Sequence, residues 1–135
     1  MGFLDTIQSI FSTENIVGIV ISQGRRQLKD RLKLISPGLM NQYIREDKSL
    51  WDECGVKLCG EFGIDLKLLS PELKHKVVSA IDETAIREYG SFEKMIQVWI
   101  KEDNPELYSM YLNVPGSDKW LTKQVDTIRN KILES

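Results

Sequence analysis

The chain is poor in the residues on which disulfide frameworks depend. Its 135 residues include two cysteines, Cys54 and Cys59. Five positions apart on a predicted helix, their side chains point about 140° away from each other, so we expect no disulfide between them. The sequence also has no basic and then apolar leader that ends in small residues. These absences favour a reducing, cytoplasmic location over secretion.

Long apolar runs are absent as well. The longest covers residues 16–21, whereas a helix that spans a bilayer needs about 20 predominantly apolar residues. The sequence therefore predicts no transmembrane segment.

The single histidine limits metal binding and acid–base catalysis. His75 forms a Glu-x-x-His motif with Glu72, but a di-iron centre needs a second such motif and further glutamates. A zinc site from His75 and the two cysteines would need ligands from two helices at a spacing that is not diagnostic. Ser70 or Ser79 can be combined with His75 and Asp82 as a triad on paper, yet no strained, glycine-rich turn accompanies either serine. We predict no catalytic residue, metal, cofactor or enzymatic activity.

The net charge is small and unevenly distributed. The formal charge is −2, which gives no overall attraction to nucleic acids or acidic membranes. Residues 1–45 hold six Lys and Arg against three Asp and Glu, whereas residues 46–110 hold eight against fourteen. The acidic middle disfavours nucleic-acid binding by that region. The basic first third is compatible with a nucleic-acid-binding surface.

Three similar tetrapeptides stand 34 residues apart. They begin at Ser36, Ser70 and Asn104, and each places proline directly after a residue whose side chain can cap a helix. Such a pair predicts a helix start, because the side-chain oxygen accepts from an unpaired amide and the fixed φ of proline suits the first helical position. Outside these tetrapeptides the three blocks share almost no residues. We therefore interpret the spacing as helix punctuation rather than as a repeat.

The apolar periodicity predicts an all-α fold. We expect one domain over residues 1–135, an irregular bundle of six to eight short-to-medium helices. Whether this bundle is built from helical hairpins is a question that the sequence does not answer. Ser117 is the predicted cap of the last helix. The β-branched run over residues 16–21 is compatible with a strand, but no partner strand is evident, so we expect a helix. Predicted helices cover roughly residues 1–11, 16–35, 37–44, 48–62, 71–89, 92–100, 105–112 and 118–134.

Aromatic residues gather in the last third of the chain, and they suggest a binding surface. Trp, Tyr and Met are favoured at protein interfaces, where they supply a large contact area with few rotamers to fix. We predict a small non-enzymatic interaction module (an adaptor, regulator or inhibitor) that binds another protein through an aromatic and aliphatic face. Because the core also needs aromatic rings, we expect at least two of these side chains to be buried. The candidate residues are Trp99, Tyr108, Met110, Tyr111 and Trp120.

The first 35 residues suggest an alternative function at a membrane surface. An amphipathic stretch over residues 1–11, with Phe3, Leu4 and Ile7 on its apolar stripe, precedes a helix that begins apolar and ends basic. Such a pair can insert its apolar stripe and face anionic head groups with its charges. Whether residues 1–35 pack on the rest of the chain or stay mobile is left open. The basic residues are Arg25, Arg26, Lys29, Arg31 and Lys33.

The same basic stretch offers a third reading, nucleic-acid binding through phosphate contacts. Helical geometry predicts that Arg25 and Arg26 share a side with Lys29 and Lys33, whereas Arg31 falls away. The overall acidity of the chain argues against this reading. A homo-oligomer is also left open.

Overall fold

A computed structural model describes residues 13–49 and 69–134, and within these ranges it contains helices and no strand. The all-α prediction is thereby confirmed. Residues 16–21 are helical, so the strand alternative is wrong. The predicted helices over residues 1–11 and 48–62 lie outside the described residues, apart from Lys48 and Ser49, which belong to no helix. The helices are α1 (Thr13–Leu32), α2 (Pro37–Arg45), α3 (Pro71–Tyr89), α4 (Phe92–Asp103), α5 (Pro105–Asn113) and α6 (Ser117–Leu133).

The three equally spaced tetrapeptides all begin helices, as the sequence predicts. In each, the side-chain oxygen of the capping residue accepts a hydrogen bond from the backbone N–H three positions later, and proline opens the helix. The N···O distances are 3.2 Å from Leu39 to Ser36, 3.1 Å from Leu73 to Ser70 and 3.3 Å from Leu107 to Asn104.

The start of α6 corrects the sequence analysis. Ser117, the predicted cap, is the first helical residue and is buried, and the capping position belongs to Gly116. Gly116 has φ 83°, a left-handed conformation that costs other residues energy but suits glycine. Its carbonyl accepts the N–H of Trp120 at 3.1 Å. The sharp turn made by glycine therefore replaces a side-chain cap here.

Helices α3 and α4 form the centre of the packing. Both α1 and α6 pack on each of them, and α5 joins α4 to α2. All six helices contribute to one continuous set of buried apolar side chains. Ile16, Leu28 and Leu32 of α1 belong to it, so residues 13–32 are packed on the rest of the chain. The single domain over residues 1–135 and the bundle built from hairpins stay predictions.

Candidate interaction surface

Three of the five predicted partner-binding residues lie in the core. The exposed fractions of Trp99, Tyr111 and Trp120 are 4%, 1% and 2%. The indole N–H of Trp120 donates to the carbonyl oxygen of Lys48 at 2.8 Å, which anchors the segment after α2 to α6. The expectation that at least two of these rings are buried is confirmed. Side chains so deeply buried stabilise the fold and are not available for a partner in this conformation.

Tyr111 is held by a hydrogen-bonded group from three helices. Its hydroxyl donates to the Asp118 carboxylate of α6 at 2.8 Å and accepts from the Gln97 amide of α4 at 3.1 Å. Burial raises the pKa of Tyr111, because a phenolate would lose its hydration, and the neighbouring Asp118 carboxylate raises it further. Tyr111 therefore stays protonated at neutral pH and acts as a structural donor.

Tyr108 and Met110 are partly buried, and they do not share a face. Two positions apart on α5, they lie about 160° from each other around the helix axis. The Tyr108 ring stacks on the Tyr111 ring at a centroid distance of 6.3 Å. The Lys101 ammonium lies 5.7 Å from the Tyr108 centroid, within cation–π range. The structure thus does not bring the five predicted residues together on one surface.

A different apolar strip on α5 faces solvent. Pro105, Tyr108 and Leu112 stand at positions i, i+3 and i+7, within about 60° of one another around the helix. Pro105 is exposed, Tyr108 is partly exposed and Leu112 is 61% exposed. We call these three residues the α5 strip. Sequence reasoning did not identify Leu112 as a candidate. The signal was present, because α5 has more apolar residues than one buried face of a helix can hold, so some of them must be exposed.

Charged side chains border the α5 strip. Lys101 covers one side of Tyr108. Glu106 is exposed one position after Pro105, and it makes no ion pair within the described parts of the chain. An apolar strip with charges at its edge resembles the core and rim of a small protein interface.

The basic stretch of α1 divides into two groups. Arg25 crosses to α4, where its guanidinium pairs with the Glu102 carboxylate at 2.6 Å and lies 6.0 Å from the Trp99 ring centroid. Arg31 lies within 3.5 Å of the Tyr43 hydroxyl, so it falls away from the others as predicted. Arg25 lies on the same side of α1 as Lys29, and its guanidinium is engaged in the ion pair with α4.

The remaining cations form a solvent-facing strip on α1. Arg26, Lys29 and Lys33 are all exposed, and Lys33 follows directly after the last helical residue. Ile19, an exposed apolar side chain, lies on the same side of the helix, within about 80° of these residues. The Asp30 carboxylate lies 3.9 Å from the Lys33 ammonium and partly neutralises the positive charge of this side. We call Ile19, Arg26, Lys29 and Lys33 the α1 strip.

The described residues hold no grouping with evident metal-binding chemistry. His75 and Glu72 lie exposed on a broad, open face of α3. Residues 13–49 and 69–134 contain no group of three or more His, Cys, Asp or Glu side chains that is placed to hold a metal ion. Within the same ranges, no helix has the length and hydropathy to cross a membrane. Cys54, Cys59, Phe3, Leu4 and Ile7 lie outside the described residues.

Comparison with known proteins adds no family to this description. No protein-family model, curated protein or solved structure matches the chain.

Proposed function

We propose that this chain is a small helical bundle that works as a non-enzymatic interaction module and binds another protein through the α5 strip. The observation that carries the proposal is the exposure of Leu112, 61%, beside Tyr108 on a helix whose opposite side is buried. When a partner removes so exposed a leucine from water, the complex is stabilised by roughly 25 cal/mol for each Å² of apolar surface buried.

The charged side chains around the α5 strip indicate which kind of surface a partner should present. Glu106 is exposed at the start of α5, whereas Glu102 at the end of α4 is paired with Arg25. Carboxylates at the edge of an apolar patch favour a partner whose own patch is bordered by Lys or Arg, because complementary charges speed association. Adaptor, regulator and inhibitor are all compatible with such a surface.

Leu112→Asp tests this proposal, because it introduces a charge into the strip at an exposed side chain and leaves the core undisturbed. A C-terminally tagged chain is used to recover partners from native extract, and each candidate partner is then purified and titrated. We expect Leu112→Asp to weaken binding more than tenfold while leaving the Tm unchanged, since its side chain is largely exposed.

Leu34→Asp is the matched control, because it makes the same chemical change at a leucine that is 74% exposed in the loop between α1 and α2. Equal loss of binding in both variants, or no loss in Leu112→Asp, would contradict the proposal. Tyr111→Ala and Trp120→Ala do not make this distinction, since both remove buried rings.

A second candidate function is peripheral binding to an anionic membrane through the α1 strip. It is favoured by the placement of Arg26, Lys29 and Lys33 on one solvent-facing side of α1 together with Ile19. Each cation near an anionic surface contributes about 1 kcal/mol.

Vesicle flotation tests the membrane candidate. We expect the full chain to float with phosphatidylserine vesicles and not with phosphatidylcholine vesicles, and Arg26→Glu with Lys33→Glu to abolish flotation. If the charge-reversed chain floats as well as the wild type, the candidate is wrong. Nucleic-acid binding through the same strip is a separate outcome, and it would show as a raised absorbance ratio of 260 to 280 nm that falls on salt washing.

A further inference from the structure

Two exposed charges of opposite sign border the α5 strip. The Lys101 ammonium lies 5.7 Å from the Tyr108 ring centroid, and Glu106 is exposed in the first turn of α5. Within residues 13–49 and 69–134, neither side chain makes an ion pair. Both charges are therefore available to a molecule that docks on the strip.

Helical geometry puts these two charges at opposite edges of the exposed side of α5. Tyr108, which Lys101 covers, and Glu106 are two positions apart, so they lie about 160° from each other around the helix axis. Pro105 and Leu112 lie between them on the exposed side, and the opposite side of the helix is buried. The exposed side thus has a positive edge, an apolar middle and a negative edge.

A surface with this pattern is complementary to a second copy of itself. A two-fold axis parallel to α5 turns the positive edge of one copy toward the negative edge of the other. The levels also match, because the Tyr108 ring beneath Lys101 leans toward the turn of α5 that holds Glu106. An antiparallel pair of helices would instead bring like charges together at each edge, so the charges favour the parallel arrangement.

We propose that two copies of this chain associate through the α5 strip, with the two α5 helices parallel and Lys101 of each copy paired with Glu106 of the other. This inference rests on the proposed function, because the second copy and the other protein occupy the same strip. Self-association then regulates the module, since a partner reaches Leu112 only when the second copy has left.

The size of the strip sets the strength of this association. Helix α5 has nine residues and is roughly 14 Å long. Its exposed side is far smaller than the roughly 800 Å² that each member of a stable complex buries. We therefore expect a dissociation constant between about 10 μM and 1 mM. Weak association suits the regulatory role, because a partner with a larger interface displaces the second copy.

Sedimentation equilibrium of the purified full chain across this concentration range tests the proposal. We expect the wild type to change from monomer to dimer as its concentration rises. Lys101→Glu and Glu106→Lys should each raise the dissociation constant about tenfold, because two attractive pairs become repulsive. The two substitutions together should restore it to within about twofold of the wild-type value, because the exchanged charges pair again.

Glu83→Lys is the matched control, because it makes the same charge reversal as Glu106→Lys at an exposed position of α3. It should leave the dissociation constant unchanged. A second measurement needs no variant. The methyl signals of Leu112 in nuclear magnetic resonance spectra of the wild type should shift on dilution, because the second copy leaves this side chain.

Three results would overturn the proposal. The first is a wild type that stays monomeric, with Leu112 methyl signals that do not move on dilution. The second is a doubly substituted chain that associates as weakly as the single variants. The third is equal weakening by Glu83→Lys and Glu106→Lys. None of these results affects the proposed binding of another protein, because titration of that protein against Leu112→Asp tests it separately.

Discussion

At the scale of single residues, the same side chains serve cores and interfaces, and burial alone separates the two uses. Trp99, Tyr111 and Trp120 are buried, whereas Tyr108 is partly exposed. Aromatic residues supply large apolar area in both settings, so their presence in the sequence does not tell which one applies. Tyr111 shows the structural use most clearly, because its polar tip is bonded to both neighbouring helices.

Tyr111 should make the stability of the protein depend on alkaline pH. Its folded-state pKa is raised above the value of about 10 for an unfolded tyrosine, so the folded chain retains a proton that the unfolded chain releases. This contribution to stability is complete below pH 10 and is lost as the pH rises from there toward the folded pKa. The slope is at most about 1.4 kcal/mol per pH unit.

Urea unfolding between about pH 9 and 11 measures this slope. Tyr111→Phe should be less stable at neutral pH by about 1–2 kcal/mol, because Gln97 and Asp118 lose their partner. The variant should also lose less stability than the wild type as the pH rises. Parallel pH profiles for the two proteins would show that another group is responsible.

At the scale of helices, local chemistry decides where most elements begin. Ser36, Ser70 and Asn104 cap helices as the sequence predicts, because an oxygen placed next to proline satisfies an amide within the same segment. The start of α6 departs from this pattern, since both Gly116 and Ser117 suit a helix start. Ser117 is buried at the first helical position, and sequence reasoning had no access to this burial.

Ser70→Ala should destabilise the protein by about 1 kcal/mol, because the Leu73 amide loses its acceptor. Ser79→Ala serves as the matched control, since Ser79 is exposed in the interior of the same helix. There alanine is the better helix former, and we expect a gain of a few tenths of a kcal/mol. Urea unfolding of the two variants makes the comparison, and an equal loss in both would contradict the assigned cap.

At the scale of the whole molecule, Arg129 connects three helices. Its guanidinium binds Asp82 of α3 at 2.8 Å and Asp126 of α6 at 2.9 Å, and it lies 5.3 Å from the Phe92 ring centroid of α4. Burial lowers the pKa of Arg129, but the two carboxylates outweigh this effect and raise it above its ordinary value. The guanidinium thus remains charged where α3, α4 and α6 meet.

A double-mutant cycle on Arg129 and Asp82 should give a coupling energy of about 0.5–1 kcal/mol, since both side chains are only partly exposed. The control cycle uses Lys76 and Glu72, an exposed pair within α3 whose coupling should be about 0.3 kcal/mol. Urea unfolding of the four proteins in each cycle gives the values. If the coupling energy between Arg129 and Asp82 is no larger than that of the control pair, this ion pair does not contribute to the packing of α6 on α3.

The sequence by itself determined the helical class and most helix starts, because caps, prolines and apolar periodicity act over three or four neighbouring residues. Only the tertiary structure decided which apolar side chains are available to a partner. Leu112 faces solvent while Tyr111 is buried one position earlier, and Arg25 turns to Glu102 while Arg26 stays exposed. These outcomes depend on contacts between helices that are far apart in the chain. When a helix has apolar or basic residues on several sides, its own sequence does not determine which side is buried.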